Sequence, residues 1–497
     1  MFKNTLIFAI CLLEVITITQ AQTWTQIGND IDGEAANDFF GNSVSLNSNG
    51  STVAIGAPYN SGNEDNAGHV RIYQNQNGTW EQIGNDIEGV DEYDRFGESV
   101  CLSSNGLVLA IGANRNDGNG DDAGHVRIYK IQGDECIQIG NNIEGENEVD
   151  NFGTSLSLSS DGSIVAIGAP NNNGNGPAAG HVRVFKNQEG TWSQIGNDIE
   201  GETQGDRSGK AVSLSSDGSV VAIGAERNDG NGDNAGHVRV FKNQNDNWIQ
   251  IGEDIDGENA DDEFGETVSL SSDGSIVAIG ASNNDDNGIN AGYVRVFKNQ
   301  GGIWSQIGND IYGEAAEDNF GCSVSLNADG TIVAIGAIGN DGIGNNAGHV
   351  RVFKNQNNNW TQIGNDIDGE ASEDGTGWSV SLNNDGSIIA IGAVGNDENG
   401  DWSGHVRIFE TTTGINETKS QKSITIYPNP AENTLYLQSV KESIQSFEII
   451  DIKGKCLRQC PVNAKQSQIT ISGLYNGMYF IRIQTDIGTI ERKIIKK

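Results

Sequence analysis

The chain has 497 residues and a formal charge of −38, distributed unevenly: residues 415–497 carry +5, the first 22 cancel, and the stretch between carries −43. A field of that sign repels phosphates and anionic head groups, which excludes nucleic acid and anionic membrane surfaces as partners and leaves cations, basic partners and neutral polymers. Ordinary statistics would cut this length into about three domains unless a repeat overrides them.

In chain order, Lys3 precedes an apolar run over residues 5–18, broken by Glu14, which ends in Thr19-Gln20-Ala21. This pattern predicts a signal peptide over residues 1–21, cleaved between Ala21 and Gln22. The run falls short of the roughly 20 apolar residues a span needs, and nothing later approaches that length, so no transmembrane segment is expected. After cleavage Cys101, Cys136, Cys322, Cys456 and Cys460 remain. An odd number at non-repeating positions is no disulfide framework, and no Cys-x-x-Cys offers thiolate metal ligands. A Cys456–Cys460 pair and two free thiols both remain open.

A repeat then takes over. Trp-x-Gln-Ile-Gly begins at Trp24, Trp80, Cys136, Trp192, Trp248, Trp304 and Trp360, and every step is 56 residues. Gly-His-Val-Arg keeps the same period, with its second residue at His69, His125, His181, His237, Tyr293, His349 and His405. Each unit holds four short apolar runs, for example 43–47, Thr52–Ala57, 69–74 and 80–83, bounded by Gly, Asn and Asp. Asn49-Gly50 and Asp161-Gly162 mark tight hairpins between the first two. The first two strands are built of small residues and the last two are bulky, which suits blades crowded near an axis and diverging outward. The fold class predicted is all-β: a seven-bladed β-propeller of 56-residue repeats and four-stranded blades over residues 22–410, a linker over 411–423, and a small C-terminal β-sandwich over 424–497. The domain begins with a lone Trp-strand and its last unit lacks one, so residues 23–28 are expected to pair with 405–409 and close the ring.

The phrases Phe-Gly-x-Ser-Val (residues 40–44 and 96–100), Val-Ala-Ile-Gly-Ala-Pro (53–58 and 165–170) and Ala-Gly-His-Val-Arg resemble the FG-GAP repeats of integrin α-subunit propellers and their bacterial relatives. Integrin-type repeats bind calcium in an acidic loop between their first two strands. Here that turn is only Ser-Ser-Asp-Gly-Ser, as at 215–219, so calcium is not expected there.

The tail changes composition. Tyr427-Pro428-Asn429-Pro430, the Asp451-Ile452-Lys453-Gly454-Lys455 turn, Gly477-Met478-Tyr479 and a lysine-rich end closely resemble the C-terminal sorting domain of the Bacteroidota type IX secretion system. The resemblance implies passage through the periplasm, recognition by the outer-membrane translocon as partner, and removal of the tail with release or surface attachment. Tyr427, Pro428, Asn429, Pro430, Gly454, Lys455, Gly477 and Tyr479 carry the motif.

In a meander, alternate connections share a face, which places the loops between second and third strands beside those joining blades. These are the long, acidic loops; the stretch 29–39 alone carries Asp30, Asp32, Glu34 and Asp38. Three of them read Asp-x-Asn-x-Asp: Asp117-Asn119-Asp121, Asp229-Asn231-Asp233 and Asp397-Asn399-Asp401. Alternating oxygen ligands with glycine suit calcium, the one cofactor expected, although such runs also form plain turns. All six histidines occupy one repeated position, which argues against a unique catalytic base. Any unique site is expected where the repeat drifts, at 205–210, Pro177, 375–378, and Trp402, which beside Asp401 offers a face for a sugar ring, with plain local drift of the repeat as the alternative and the better explanation. The leading expectation is an exported, non-catalytic binding or adhesion propeller engaging an extracellular glycan or protein. The alternatives are a secreted polysaccharide-active enzyme, expected if non-repeated acids converge near the axis, and a structural propeller.

Overall fold

The computed structural model describes residues 22–412, 424–439, 443–451, 455–485 and 488–497. The expected signal peptide with Ala21, most of the linker, and Gly454 lie outside them. The described chain forms a unit over Thr23–Thr412 and a second that contains the tail.

Seven antiparallel sheets make up the first unit. In the first blade Ser43–Leu46, Thr52–Ala57, His69–Gln76 and Thr79–Gln82 follow one another outward. The structure adds one segment to the four strands expected. After Thr79–Gln82 a Gly turn steps the chain sideways, and Ile87–Glu88 pairs with the start of the third strand, His69↔Glu88 and Val70↔Ile87. The outer strand is therefore broken in two, and the stretch 29–39 read as loop contains such a pair, Ile31–Asp32.

Closure occurs with a longer register than expected. Thr23–Gln26 pairs with Phe409 to Thr412, and Ile31–Asp32 with His405 and Val406. The ring is also closed at the axis. The inner-strand hydroxyl of each blade accepts the amide of the Leu in the next: Ser45 from Leu102 at 2.9 Å, Ser157 from Leu214 at 3.0 Å, and finally Ser381 from Leu46 at 3.0 Å. Cys101 fills one such place, its Sγ accepting from Leu158 at 3.4 Å. At the tight-turn end a cycle of backbone bonds runs from Ser48 to Ser104, Ser160, Ser216, Ser272, Ala328 and Asn384, whose amide returns to Ser48 at 3.0 Å. At the rim each indole of Trp80, Trp192, Trp248, Trp304, Trp360 and Trp24 donates to an Ile carbonyl of the preceding blade at 2.8–3.1 Å.

Small residues are required where second strands meet the neighbouring blade. A Cβ on Gly280 would lie 2.2 Å from the Gly321 carbonyl oxygen. Gly280→Ala is accordingly expected to cost about 3 kcal/mol, since backbone cannot swing aside as a side chain can, and the midpoint of denaturant unfolding checks it.

The second unit has a three-stranded sheet (Ile424–Tyr427, Thr434–Ser439, Gln466–Thr470) and a four-stranded one (Cys456–Ala464, Ile444–Ile450, Gly477–Thr485, Gly488–Lys496). Leu435, Leu437 and Ile469 from one, and Phe447, Ile449, Ile481 and Ile494 from the other, share a core, which makes the unit a sandwich. Tyr427 is exposed and stacks on Tyr436 with centroids 5.6 Å apart. Pro428 and Pro430 follow cis peptide bonds, Asn429 ties to Lys493 and Ile495, Lys455 donates to Asp451, Gly477 opens a strand, and Tyr479 is buried. Cys456 and Cys460 lie on one strand as free thiols, and Cys101, Cys136 and Cys322 in the propeller are free as well.

Candidate functional site

The three expected calcium loops use their polar positions in loop closure. Asp117, Asp229 and Asp397 each accept a backbone amide five residues on at 2.8 Å. Asn119, Asn231 and Asn399 donate to the carbonyls of Gly145, Gly257 and Gly33 in the following junction at 2.7–2.9 Å. The carbonyls of Asp121, Asp233 and Asp401 accept amides from the same junctions. The repeated Asp-x-Asn-x-Asp pattern therefore clasps neighbouring blades.

The repeated histidines are buried, and their Nδ1 atoms face carboxylates: His69 lies 3.9 Å from Glu34 and 3.8 Å from Asp86. Such His-Asp-Glu groups recur around the ring and have the composition of a metal site. A guanidinium already occupies them, however, since Arg71 bridges Glu34 and Asp86, and a second cation would meet that charge. Burial first, and the neighbouring arginine second, hold His69, His181, His237 and His405 down at about 4 and His125 at about 3.

Repetition also produces grooves of 280–480 Å³ at five blade junctions; in one of them Gly140 to Glu144 of one blade face Arg183, Phe185 and Trp192 of the next. Their equivalence makes them weak candidates for a unique site.

The symmetry breaks at the long-loop end of the axis. The position at the head of each inner strand is occupied in turn by Asn42, Glu98, Thr154, Lys210, Glu266, Cys322 and Trp378. No two neighbours are alike. Behind this ring, residues just before the inner strands and just after the second strands add Arg95, Arg115, Arg207, Glu226, Arg227 and Glu263. Between residues 23 and 414 there are 17 Lys and Arg. Twelve of these stand at two repeated positions of the third strand, and the other five, Arg95, Arg115, Arg207, Lys210 and Arg227, all lie at this mouth.

The mouth has three sectors. In the first, buried Glu226 accepts from Arg207 at 2.7 Å, with Lys210 at 3.9 Å, and Arg227 reaches Glu263 at 4.0 Å. Glu266 accepts from the Ser282 hydroxyl at 2.5 Å. In the second, Glu98 senses Arg95, Lys210 and Arg115, although Lys210 belongs to a blade two places away. Burial raises both Glu98 and Glu266; those cations oppose the rise at Glu98, while at Glu266 the Ser282 hydrogen bond and Lys210 oppose it and Glu226 and Glu263 add to it. Burial and then Glu266 push the Cys322 thiol up to about 12, which keeps it a poor nucleophile. The third sector is aromatic: Trp402 stacks on Phe39 at 5.2 Å, Phe39 lies 4.7 Å from Tyr59, and the Arg95 guanidinium sits 4.5 Å over the Tyr59 ring. Trp378 donates to Asn42 at 3.2 Å.

Sequence reasoning placed Trp402 and flagged 205–210 and 375–378, which contribute Arg207, Lys210 and Trp378. It missed Phe39, Tyr59, Arg95, Glu98, Arg115, Glu226, Arg227, Glu263 and Glu266. The available signal was the set of cations outside the repeat.

Residues 425–497 match the secretion system C-terminal sorting domain family, and residues 31–73, 88–129, 255–297 and 313–353 match the FG-GAP repeat family. No curated protein matches the sequence. Among solved structures, the periplasmic gluconolactonase PpgL of Pseudomonas aeruginosa is 14% identical, with 89% of this chain and 98% of that one covered and a TM-score of 0.47. A Bacteroides uniformis protein, assigned only provisionally as a 6-phosphogluconolactonase, is 10% identical, with 66% and 85% covered and a TM-score of 0.45. Neither likeness carries an argument about activity. No helix among the described residues is long and apolar enough to cross a membrane.

Proposed function

We propose, from the premise that the chain is an exported FG-GAP-repeat propeller bearing a type IX secretion sorting domain, that it is a binding propeller of the cell surface or medium whose ligand seats at the axial mouth. The sorting domain commits the protein to export and to the translocon as a partner. One observation carries the choice of site: the five cations outside the repeated positions gather at the mouth, beside the stack of Trp402, Phe39 and Tyr59, while the blades around them repeat. Packing of a rigid ring explains the repeat, and a ligand at the mouth would explain why the departures cluster there.

Adhesion through this mouth is the leading reading. A polysaccharide-active enzyme is the second, supported by Glu98 and Glu266, non-repeated carboxyls raised by burial in different surroundings, as a general acid and its partner require. A glycan and matrix array probed with the full chain, with and without calcium, tests the binding reading. Retention on a defined class, lost in Trp402→Ala, is the expected result; retention unaltered by substitutions at the mouth would move the site elsewhere. A calcium requirement would assign the ion to the Asp-x-Asn-x-Asp loops. Release of reducing ends from the retained polysaccharide, abolished by Glu266→Gln, would favour the enzyme.

A further inference from the structure

We infer that the mouth recognises a carboxylated saccharide, a pyranose ring bearing an anionic carboxylate, an inference that rests on the mouth being the binding site. Trp402, Phe39, Tyr59 and Arg95 form one continuous stack across the last, first and second blades. At the place of Trp402 the other blades carry Asn66, Asp122, Ala178, Asn234, Asn290 and Asn346, so nothing in the fold demands an aromatic there. Trp402 and Trp378 keep 42% and 39% of their surface exposed, enough to take the C–H face of a sugar ring.

The charge beside this platform selects the sugar. Arg207 and Arg227 are compensated by Glu226 and Glu263. Among the described residues, neither Arg95 nor Arg115 forms a salt bridge with a carboxylate, in a propeller stretch of net charge −43. Glu98, the carboxyl whose field they share with Lys210, is raised by burial against the opposing pull of all three cations. The Arg95 guanidinium thus ends the aromatic stack, Arg115 shares Glu98 with it as an electrostatic neighbour, and neither closes an ion pair with a carboxylate among the described residues. A neutral sugar would leave them without a counter-charge, and a densely charged polyphosphate would meet the acidic loops within the ~8–10 Å range of unscreened repulsion. A single carboxylate on a pyranose matches a fork donor and avoids that field.

Isothermal titration of the full chain with tetragalacturonate and with cellotetraose tests this. Tetragalacturonate is expected to bind at least tenfold more tightly than cellotetraose. The double substitution Arg95→Gln and Arg115→Gln is expected to weaken tetragalacturonate by about tenfold or more and cellotetraose by much less, so that the preference between the two sugars collapses. Trp402→Ala should weaken both sugars. Equal affinity of wild type and the double variant for tetragalacturonate, or no binding of it, overturns the carboxylate assignment. Preference for cellotetraose that is lost in Trp402→Ala overturns the acid but keeps the mouth, whereas binding indifferent to all three substitutions overturns both.

Discussion

A chain lacking residues 23–28 is expected to unfold about 6 °C or more below the intact protein, a loss of roughly 5 kcal/mol spread over a large unfolding entropy. These residues supply the outer strand of the last blade, with Trp24 donating to Ile363 at 3.1 Å and Ile27 to Ile408 at 2.7 Å. Their removal uncovers the edge of His405–Thr412 and strips the indole from the hydrophobic cluster that holds Phe409 and Ile363. The axial rings, Ser381 to Leu46 and Asn384 to Ser48, survive the deletion, so the blade should loosen from the rim inward. Calorimetry on the full chain reads the shift. An unchanged transition would mean that the axial rings alone close the propeller.

Acid should destabilise the propeller well above the range in which exposed carboxylates titrate. Five histidines stay neutral in the fold down to about 4 or lower, and His349 is lowered as well, against an ordinary value of 6.5. A base with a depressed folded value binds its proton preferentially in the unfolded chain. Stability is therefore full above about pH 6.5 and falls as pH drops toward 4. Between pH 7.5 and 5.5 each of the five histidines held at about 4 or lower contributes a loss of about 1.3 kcal/mol, together several kcal/mol, and His349 acts in the same direction. Buried acids such as Asp38 and Asp94, raised mainly by burial, act in the opposite sense, because the fold then holds the proton longer. The sign of the net dependence therefore reports whether the histidines outweigh these carboxyls. Urea midpoints at pH 7.5 and 5.5 check the sign; a midpoint as high at pH 5.5 would refute it. Tyr293 stands at the same repeated position without titrating there, so His181→Tyr should shallow the dependence.

The rings of hydrogen bonds explain why so much of the architecture was readable. Every blade solves the same packing problem, so Ser, Gly, His and Trp return at a fixed interval, and the interval alone yields the blade number and the closing strand. The split of the outer strand was not readable, because Ile31–Asp32 is two residues long and pairs only through its register with His405 and Val406. The clasp made by the Asp-x-Asn-x-Asp loops was not readable, because clasp and ligand draw on the same polar residues and the partner, the Gly145 carbonyl for Asn119, lies in the next junction.

By itself the sequence determined what local and periodic forces impose: strand lengths, turn chemistry at Asp161-Gly162, seven equivalent blades, and a tail with its own composition and export signature. The tertiary structure decided what depends on bringing distant residues together. Glu98, Lys210 and Glu266 are 112 and 56 residues apart in sequence yet share one electrostatic neighbourhood, and Trp402 meets Phe39 across the closure. A ring places one residue from each repeat around a common axis, so unlike residues at equivalent positions become neighbours; no spacing within a single blade records that convergence.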